Sequence, residues 1–136
     1  MDKLEYIPGD LVMTKTEPND FTPNGVVCEF VSYCNTKVFV RVAKGIDTFF
    51  LEKEQIIPIP ITQEILEKNV WEATKESLGH SFKNKKYPRF ALWSINDKWN
   101  FTIDGVMVCN TLSCLCYVHE LQHLLFGLNI NHEMEV

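Results

Sequence analysis

Residues 110–129 read NTLSCLCYVHELQHLLFGLN, and this stretch decides the fold of the C-terminal half of the chain. Its apolar residues at positions 114, 118, 121, 125 and 128 recur every three or four residues, which places them on one side of an α-helix. The spacing predicts a helix over residues 112–126, with a glycine stop at Gly127. We expect Leu121 and Leu125 to face the core.

The same stretch contains His119, Glu120 and His123 in the HExxH pattern of zinc proteases. Two histidines one helical turn apart can hold one metal ion, and the glutamate beside the first can act as general base on bound water. Catalytic zinc usually takes three protein ligands, and no third one stands in a recognisable frame. The remaining candidates for that third ligand are His80, His132, Glu133 and Glu135. We therefore expect no cofactor and no catalytic residue, with a zinc hydrolase that uses Glu120 as the alternative.

A second metal hypothesis uses Cys116, His119 and His123, which share one face of the predicted helix. Cys109 or Cys114 would complete a structural zinc site. The sequence has no CxxC pair and no second cysteine cluster, so we expect these cysteines to pack as small apolar residues.

The polar side of the predicted helix is the first candidate binding surface. At 100° per residue, His119 and His123 lie roughly opposite the Leu121/Leu125 stripe, so we expect both imidazoles to face solvent, a second element of the chain or a partner. Glu120 and Gln122 complete this candidate surface.

The N-terminal half reads as a series of short strands. Runs rich in β-branched and aromatic residues occur at 26–33, 38–42, 48–51 and 56–60, after a Pro-Gly-Asp turn at 8–10. They predict a small SH3-like β-barrel. Phe39, Phe49 and Phe50 are expected in its core, with a recognition stripe as the alternative. Pro58 and Pro60 mark its last strand as an edge or as an exit from the barrel.

The second half begins with a short connector helix at 63–69, capped by Thr62 and followed by an anchoring Trp71. Strands at 90–95, 99–103 and 106–109 then predict a three-stranded antiparallel meander, covered by the C-terminal helix. The predicted fold class is α+β. The chain divides into an SH3-like subdomain at 1–60 and a helix-meander-helix subdomain at 61–136, which we expect to form one compact unit.

The second candidate binding surface is the basic segment at 83–89, whose cations lie around Phe82 and Tyr87 in the sequence. Its cations are Lys83, Lys85, Lys86 and Arg89. Such a pattern can hold phosphates and stack bases, so a nucleic-acid or nucleotide binder is a further alternative. In an acidic protein, four such charges more often belong to a solvated loop or hairpin than to a binding site.

Composition restricts the location and the partners. The 136 residues carry a net charge of −5, which gives no general attraction to nucleic acid or to an anionic membrane. The five cysteines are odd in number and irregularly spaced, and the first residues lack an apolar signal core. No run approaches the roughly 18 apolar residues of a transmembrane helix. We expect a cytoplasmic protein with no membrane partner, and its oligomeric state stays open.

Two segments also carry a resemblance. The link IPIPITQEILEKN at 57–69 and the terminal YVHELQHLLFGL at 117–128 resemble a family of small uncharacterised proteins of Bacteroidetes phages, prophages and mobile elements. The resemblance spans most of the chain. In that family the positions of Glu120 and His123 need be neither Glu nor His, which implies that HExxH here is a coincidence within a packing helix.

The resemblance implies a biological context rather than a chemistry. We therefore expect a small non-enzymatic interaction protein that binds a host protein, in the host cytoplasm if it is phage-encoded. The countering of a host defence system is one role that such binding would serve.

Overall fold

The computed structural model describes residues 6–17, 23–74, 81–95, 98–104, 106–107, 115–129 and 133–136. Within these residues two five-stranded antiparallel sheets and a few short helices form an α+β fold, which confirms the predicted class. The chain divides into two compact units. The first unit is Met1–Ile59 with Leu121–Glu133, and the second is Pro60–Glu120 with Met134–Val136.

The first unit contains a sheet with the strand order β4-β3-β2-β1-β5. The strands are β1 Leu11–Thr14, β2 Val27–Cys34, β3 Lys37–Val42, β4 Thr48–Glu52 and β5 Ile56–Pro58, with a 3-10 turn at Lys53–Gln55 before β5. The described strands do not close this sheet into the predicted barrel. Pro58 lies on an edge strand, where a residue without a backbone N–H can be tolerated because no central strand needs that hydrogen bond.

One face of this sheet carries the core of the first unit. Because side chains alternate between the two faces of a strand, Cys28 and Phe30 of β2 and Val38 and Val40 of β3 are buried, while their neighbours are not. The core cluster consists of Tyr6, Val12, Cys28, Phe30, Val38, Val40, Leu51 and Ile56. Phe49 packs against this cluster, so its predicted core position is confirmed.

The second unit contains a sheet with the strand order β10-β9-β8-β7-β6. The strands are β6 Trp71–Ala73, β7 Ser81–Asn84, β8 Phe90–Ile95, β9 Lys98–Ile103 and β10 Val106–Met107. The sequence predicted only the last three of them. The pattern missed β6 and β7 because each has three or four residues and only one large apolar side chain.

The connector helix agrees with the sequence prediction. Helix α1 spans Gln63–Lys68, and the Thr62 side chain accepts a hydrogen bond from the N–H of Ile65 at 3.2 Å, as an N-cap does. Trp71 follows it at 1% exposure, which confirms the predicted anchor. Phe82, Leu92 and Phe101 form the fully buried centre of the adjoining strands.

Helix α2 spans Val118–Gly127, so it begins later than predicted. The reason lies in residues 115–117, which pair as extended chain instead. Leu115 and Trp99 exchange two backbone hydrogen bonds of 2.8 Å, and Tyr117 forms a β-bridge with Pro60. The left-handed residue after the helix is Asn129, not the predicted Gly127. None of the helices in these parts of the chain has the length and apolarity required to cross a membrane.

Candidate functional site

His123 contacts a second element of the chain, which is one of the three surroundings that the sequence left open for it. Its Nε2 lies 3.0 and 2.8 Å from the two carboxylate oxygens of Asp10, within the first unit. The Asp10 carboxylate is almost completely buried, and its Oδ2 also accepts the N–H of Ile7 at 2.8 Å. Gly9 lies in this tight turn with a φ of +97°, a conformation that favours glycine. Asp10 therefore orients the imidazole of His123.

Gln122 bonds to the same turn through both ends of its side-chain amide. Its Oε1 accepts the N–H of Leu11 at 2.9 Å, and its Nε2 donates to the carbonyl of Gly9 at 3.1 Å. Gln122 is 3% exposed, so these bonds satisfy polar groups that water does not reach. The expectation that Gln122 lies on an exposed binding face is wrong.

Glu120 caps the N-terminus of its own helix. Its Oε1 accepts the N–H groups of Cys116 and Tyr117 at 2.8 and 3.0 Å, inside the second unit. A carboxylate at a helix N-terminus satisfies backbone donors and complements the helix dipole. This contact gives Glu120 a structural role and does not favour its use as a general base.

His119 is 2% exposed, which excludes solvent from the three surroundings that the sequence left open for it. Its ring stacks on that of Tyr117, with centroids 6.0 Å apart and planes inclined by 15°. Val118, Leu121 and Leu125 are buried, as the leucine stripe predicted. The helix is therefore buried around most of its circumference. Burial of its polar side is possible because Gln122 and His123 have hydrogen-bond partners there.

The described residues contain no group of three or more His, Cys, Asp and Glu side chains placed to hold a metal ion. His80, Cys109, Cys114 and His132, which could complete the two zinc sites proposed from the sequence, lie outside the described residues. Cys116 is partly buried and Cys28 fully buried. Burial raises the pKa of the Cys28 thiol to about 11, so this side chain packs as an uncharged, unreactive group.

The basic segment at 83–89 forms the end of β7 and a tight connection to β8. The Oδ1 atom of buried Asn84 accepts the N–H groups of Lys86 and Tyr87, both at 2.9 Å. The ammonium of Lys86 lies 5.8 Å from the centroid of the Tyr87 ring. Arg89 forms two hydrogen bonds, of 2.9 and 2.7 Å, with one carboxylate oxygen of Asp104. The four cations are therefore not equivalent, because Arg89 already forms an ion pair with a carboxylate.

The Arg89–Asp104 pair leads to a prediction about titration. Hydrogen bonds from the Arg89 guanidinium hold the pKa of the Asp104 carboxyl below its ordinary value, and the same bonds raise the pKa of Arg89. A lowered carboxyl pKa stabilises the folded state above the ordinary value, and that contribution is lost as the pH falls through the lowered one. Arg89→Gln should raise the pKa of Asp104, as measured by NMR titration of its carboxyl carbon. Lys86→Gln, the matched control, should leave it unchanged, and an equal shift in both variants would contradict the assignment.

A groove of about 470 Å³ adjoins the basic segment within the second unit. Its lining residues come from β6, β7 and the turn that follows β7. They are Glu72, Ala73, Thr74, Lys83, Asn84, Lys85 and Pro88. Lys83 and Lys85 line this groove, while Lys86 and Arg89 are not among its lining residues.

An aromatic pair lies on the outer face of β3 and β4, where the sequence favoured a core position over a recognition stripe. Phe39 and Phe50 are opposite each other in the strand register, and their rings meet edge to face with centroids 6.3 Å apart. Phe50 is 53% exposed, so its expected core position is wrong. The ammonium of Lys37 lies 5.7 Å from the centroid of the Phe50 ring. Alternation along β4 was the available signal, because Phe49 and Phe50 are neighbours and must point to opposite faces.

Comparisons with family models, curated proteins and solved structures found no match. The resemblance of residues 57–69 and 117–128 to phage and mobile-element proteins therefore stays a prediction. The candidate site depends on the geometry of the chain itself.

Proposed function

We propose that this chain is a non-enzymatic protein that binds another protein through the outer face of β3 and β4. The observation that carries the proposal is the Phe39–Phe50 pair, in which Phe39 is half-buried and Phe50 is 53% exposed. Protein interfaces concentrate their binding energy in a few aromatic and arginine side chains, surrounded by a polar rim. This pair has such a rim, because Lys37 is ion-paired with Glu52 at 3.1 Å and Arg41 with Glu29.

The position of β4 supports an extended segment of the partner as the bound element. β4 lies at an edge of its sheet, where the described strands pair it only with β3. An edge strand offers unpaired backbone N–H and C=O groups to an incoming strand, and alternate side chains then give specificity. The rings of Phe39 and Phe50 would contact such a strand beside this edge.

The arrangement of the first unit supports an SH3-like architecture. Three successive antiparallel strands, β2 to β4, a 3-10 turn after β4, and β5 paired with β1 are the features expected of that architecture. Because SH3-like units bind peptides, RNA or nothing, the architecture alone does not choose a function. The choice of a protein partner depends on the exposed aromatic pair.

The biological context comes from the resemblance to Bacteroidetes phage and mobile-element proteins. It supports a host protein as the partner, encountered in the host cytoplasm, and the countering of a defence system as the role. The structural uses of Glu120, Gln122 and His123 within the chain are consistent with a protein that needs no catalytic centre.

The test is affinity capture from a Bacteroidetes host lysate, followed by measurement of binding to the captured partner. Phe50→Ser should weaken that binding about thirtyfold, the loss expected when a central aromatic residue is removed from an interface. Ile46→Ser is the matched control, because Ile46 is a large exposed apolar residue in the connection before β4. The control should bind as the wild type does. Equal binding by both variants, or no partner at micromolar protein, would contradict the proposal.

A further inference from the structure

The two edges of the first sheet differ in how well they are protected against pairing with another strand. Edge strands of natural sheets are usually very short or carry a proline, a lysine or a bulge. β5, at one edge, has three residues and contains Pro58. β4, at the other edge, reads TFFLE, pairs continuously with β3, and has its one charged residue, Glu52, at its end. No described residue outside β3 bonds to the backbone of residues 48–51, so another strand can pair with this edge.

The residue pattern of β4 is symmetric about its central residue, Phe50. Phe49 and Leu51 flank it and both contact the core of the unit, whereas Thr48 and Glu52 lie at the two ends and share the outer face with Phe50. An antiparallel copy of the strand, centred on Phe50, therefore places Phe49 opposite Leu51 of the second copy, and Phe50 opposite its own equivalent. A shift of one residue would place outer side chains beside core side chains. In the centred register, β4 is complementary to itself.

The charges and rings of the outer face are compatible with such a pairing. The net charge of −5 repels one copy from another in general. This face is locally neutral, however, because Lys37 and Arg41 are each paired with a carboxylate. Phe39 and Phe50 already meet edge to face, and the centred pairing extends them into a row of four aromatic side chains across the two copies. The apolar contact thus forms where the two copies do not repel each other.

We propose that two copies of this chain pair through β4, antiparallel and centred on Phe50, and form a two-fold dimer. The pairing joins the two first-unit sheets edge to edge. The remaining edges are then the two β5 strands, where Pro58 and the short strand length disfavour further pairing, so the assembly closes at two chains. The inference goes beyond the proposed function, because the second copy covers the β4 edge until a strand of another protein displaces it.

Sedimentation equilibrium of the full chain at micromolar concentrations tests the dimer. The wild type should shift from the mass of one chain to that of two as its concentration rises. Phe50→Ser should weaken this association at least about tenfold, because two-fold symmetry removes two central rings at once. Val106→Ser is the matched control, since Val106 is an exposed apolar residue on an edge strand of the second sheet, and it should dimerise as the wild type does. A monomer at every concentration, or assemblies larger than two chains, would overturn the proposal.

A charge at position 48 tests the register of the pairing. In the centred register Thr48 lies opposite Glu52 of the second copy, and two-fold symmetry forms this contact twice. Thr48→Glu should therefore weaken the dimer about fivefold, and Thr48→Lys should strengthen it by a similar factor. Val106→Glu and Val106→Lys introduce the same charges on the second sheet and should each change the affinity less than about twofold.

The opposite signs of the two Thr48 variants protect this test against misfolding, because a misfolded chain does not gain affinity. Weakening by both variants, or equal effects at positions 48 and 106, would overturn the proposal. The dimer can fail without the proposed function failing, since a partner strand can use the β4 edge of a monomer. Failure to capture a host protein, in turn, leaves the sedimentation result unchanged.

Discussion

Trp71→Ala should lower the free energy of unfolding by about 3–5 kcal/mol, the usual cost of removing a large aromatic side chain from a core. Trp71 begins β6, and its side chain is one of the largest fully buried groups in the chain. The cavity that alanine leaves cannot collapse easily, because the strand pairing of Trp71 with Asn84 fixes the backbone. Denaturant unfolding monitored by circular dichroism measures the change. Trp93→Ala is the matched control, since Trp93 is 41% exposed on the same sheet, and it should cost no more than about 1 kcal/mol.

The comparison also tests whether β6 anchors the second unit. Loss of the packing of Trp71 should loosen β6, and hydrogen exchange at Trp71–Ala73 measures that loosening. A stability loss as small as that of Trp93→Ala would show that β6 does not anchor the second unit.

Gln122→Leu should cost about 2–4 kcal/mol, because it leaves the N–H of Leu11 and the carbonyl of Gly9 without partners at a site that water does not reach. Leucine has nearly the same volume as glutamine, so packing changes little and the lost hydrogen bonds dominate the effect. Chemical denaturation gives the magnitude, and hydrogen exchange at Leu11 locates it. The Leu11 amide should lose its protection first.

The control for Gln122→Leu is Phe126→Ala on the same helix. Phe126 is 60% exposed, so this change should alter stability by less than about 0.5 kcal/mol. Together the two variants also test whether position 122 has a structural role in α2. In a zinc hydrolase built on His119 and His123, position 122 would be variable, because it provides no ligand. A destabilisation near zero for Gln122→Leu would contradict the structural role.

The sequence predicted the parts of the fold that depend on local patterns. Alternation of apolar residues predicted β2 and β3, and the Thr62 cap predicted α1, because neighbours in sequence determine strand faces and helix starts. The leucine stripe correctly predicted the buried side of α2. The two-residue turn at Asn35-Thr36 between β2 and β3 agrees with turn chemistry, because Asn35 has a positive φ of 57°, which asparagine tolerates.

The polar side of α2 could not be predicted, since its partners lie at the other end of the sequence. Gln122 and Leu11 are 111 residues apart, and no periodicity reports a contact at that distance. The pattern shows which side of a helix is apolar, but not whether another segment covers the opposite side and satisfies its polar groups. Phe50 was misplaced for a related reason. Two consecutive phenylalanines suggest a core position for both, although neighbouring side chains of a strand point to opposite faces.

The hydrogen bonds of Gln122 and His123 also determine when the first unit can complete its folding during synthesis. The turn at Gly9-Asp10 leaves the ribosome long before residues 121–133, which belong to the same compact unit, so the first sheet is made without its last segment. Contacts between such distant residues close a large loop and form late. A nascent chain that stops before Leu121 would leave the N–H of Leu11 and the carbonyl of Gly9 without their Gln122 partner. Residues 121–133 thus complete a unit whose strands are synthesised long before them.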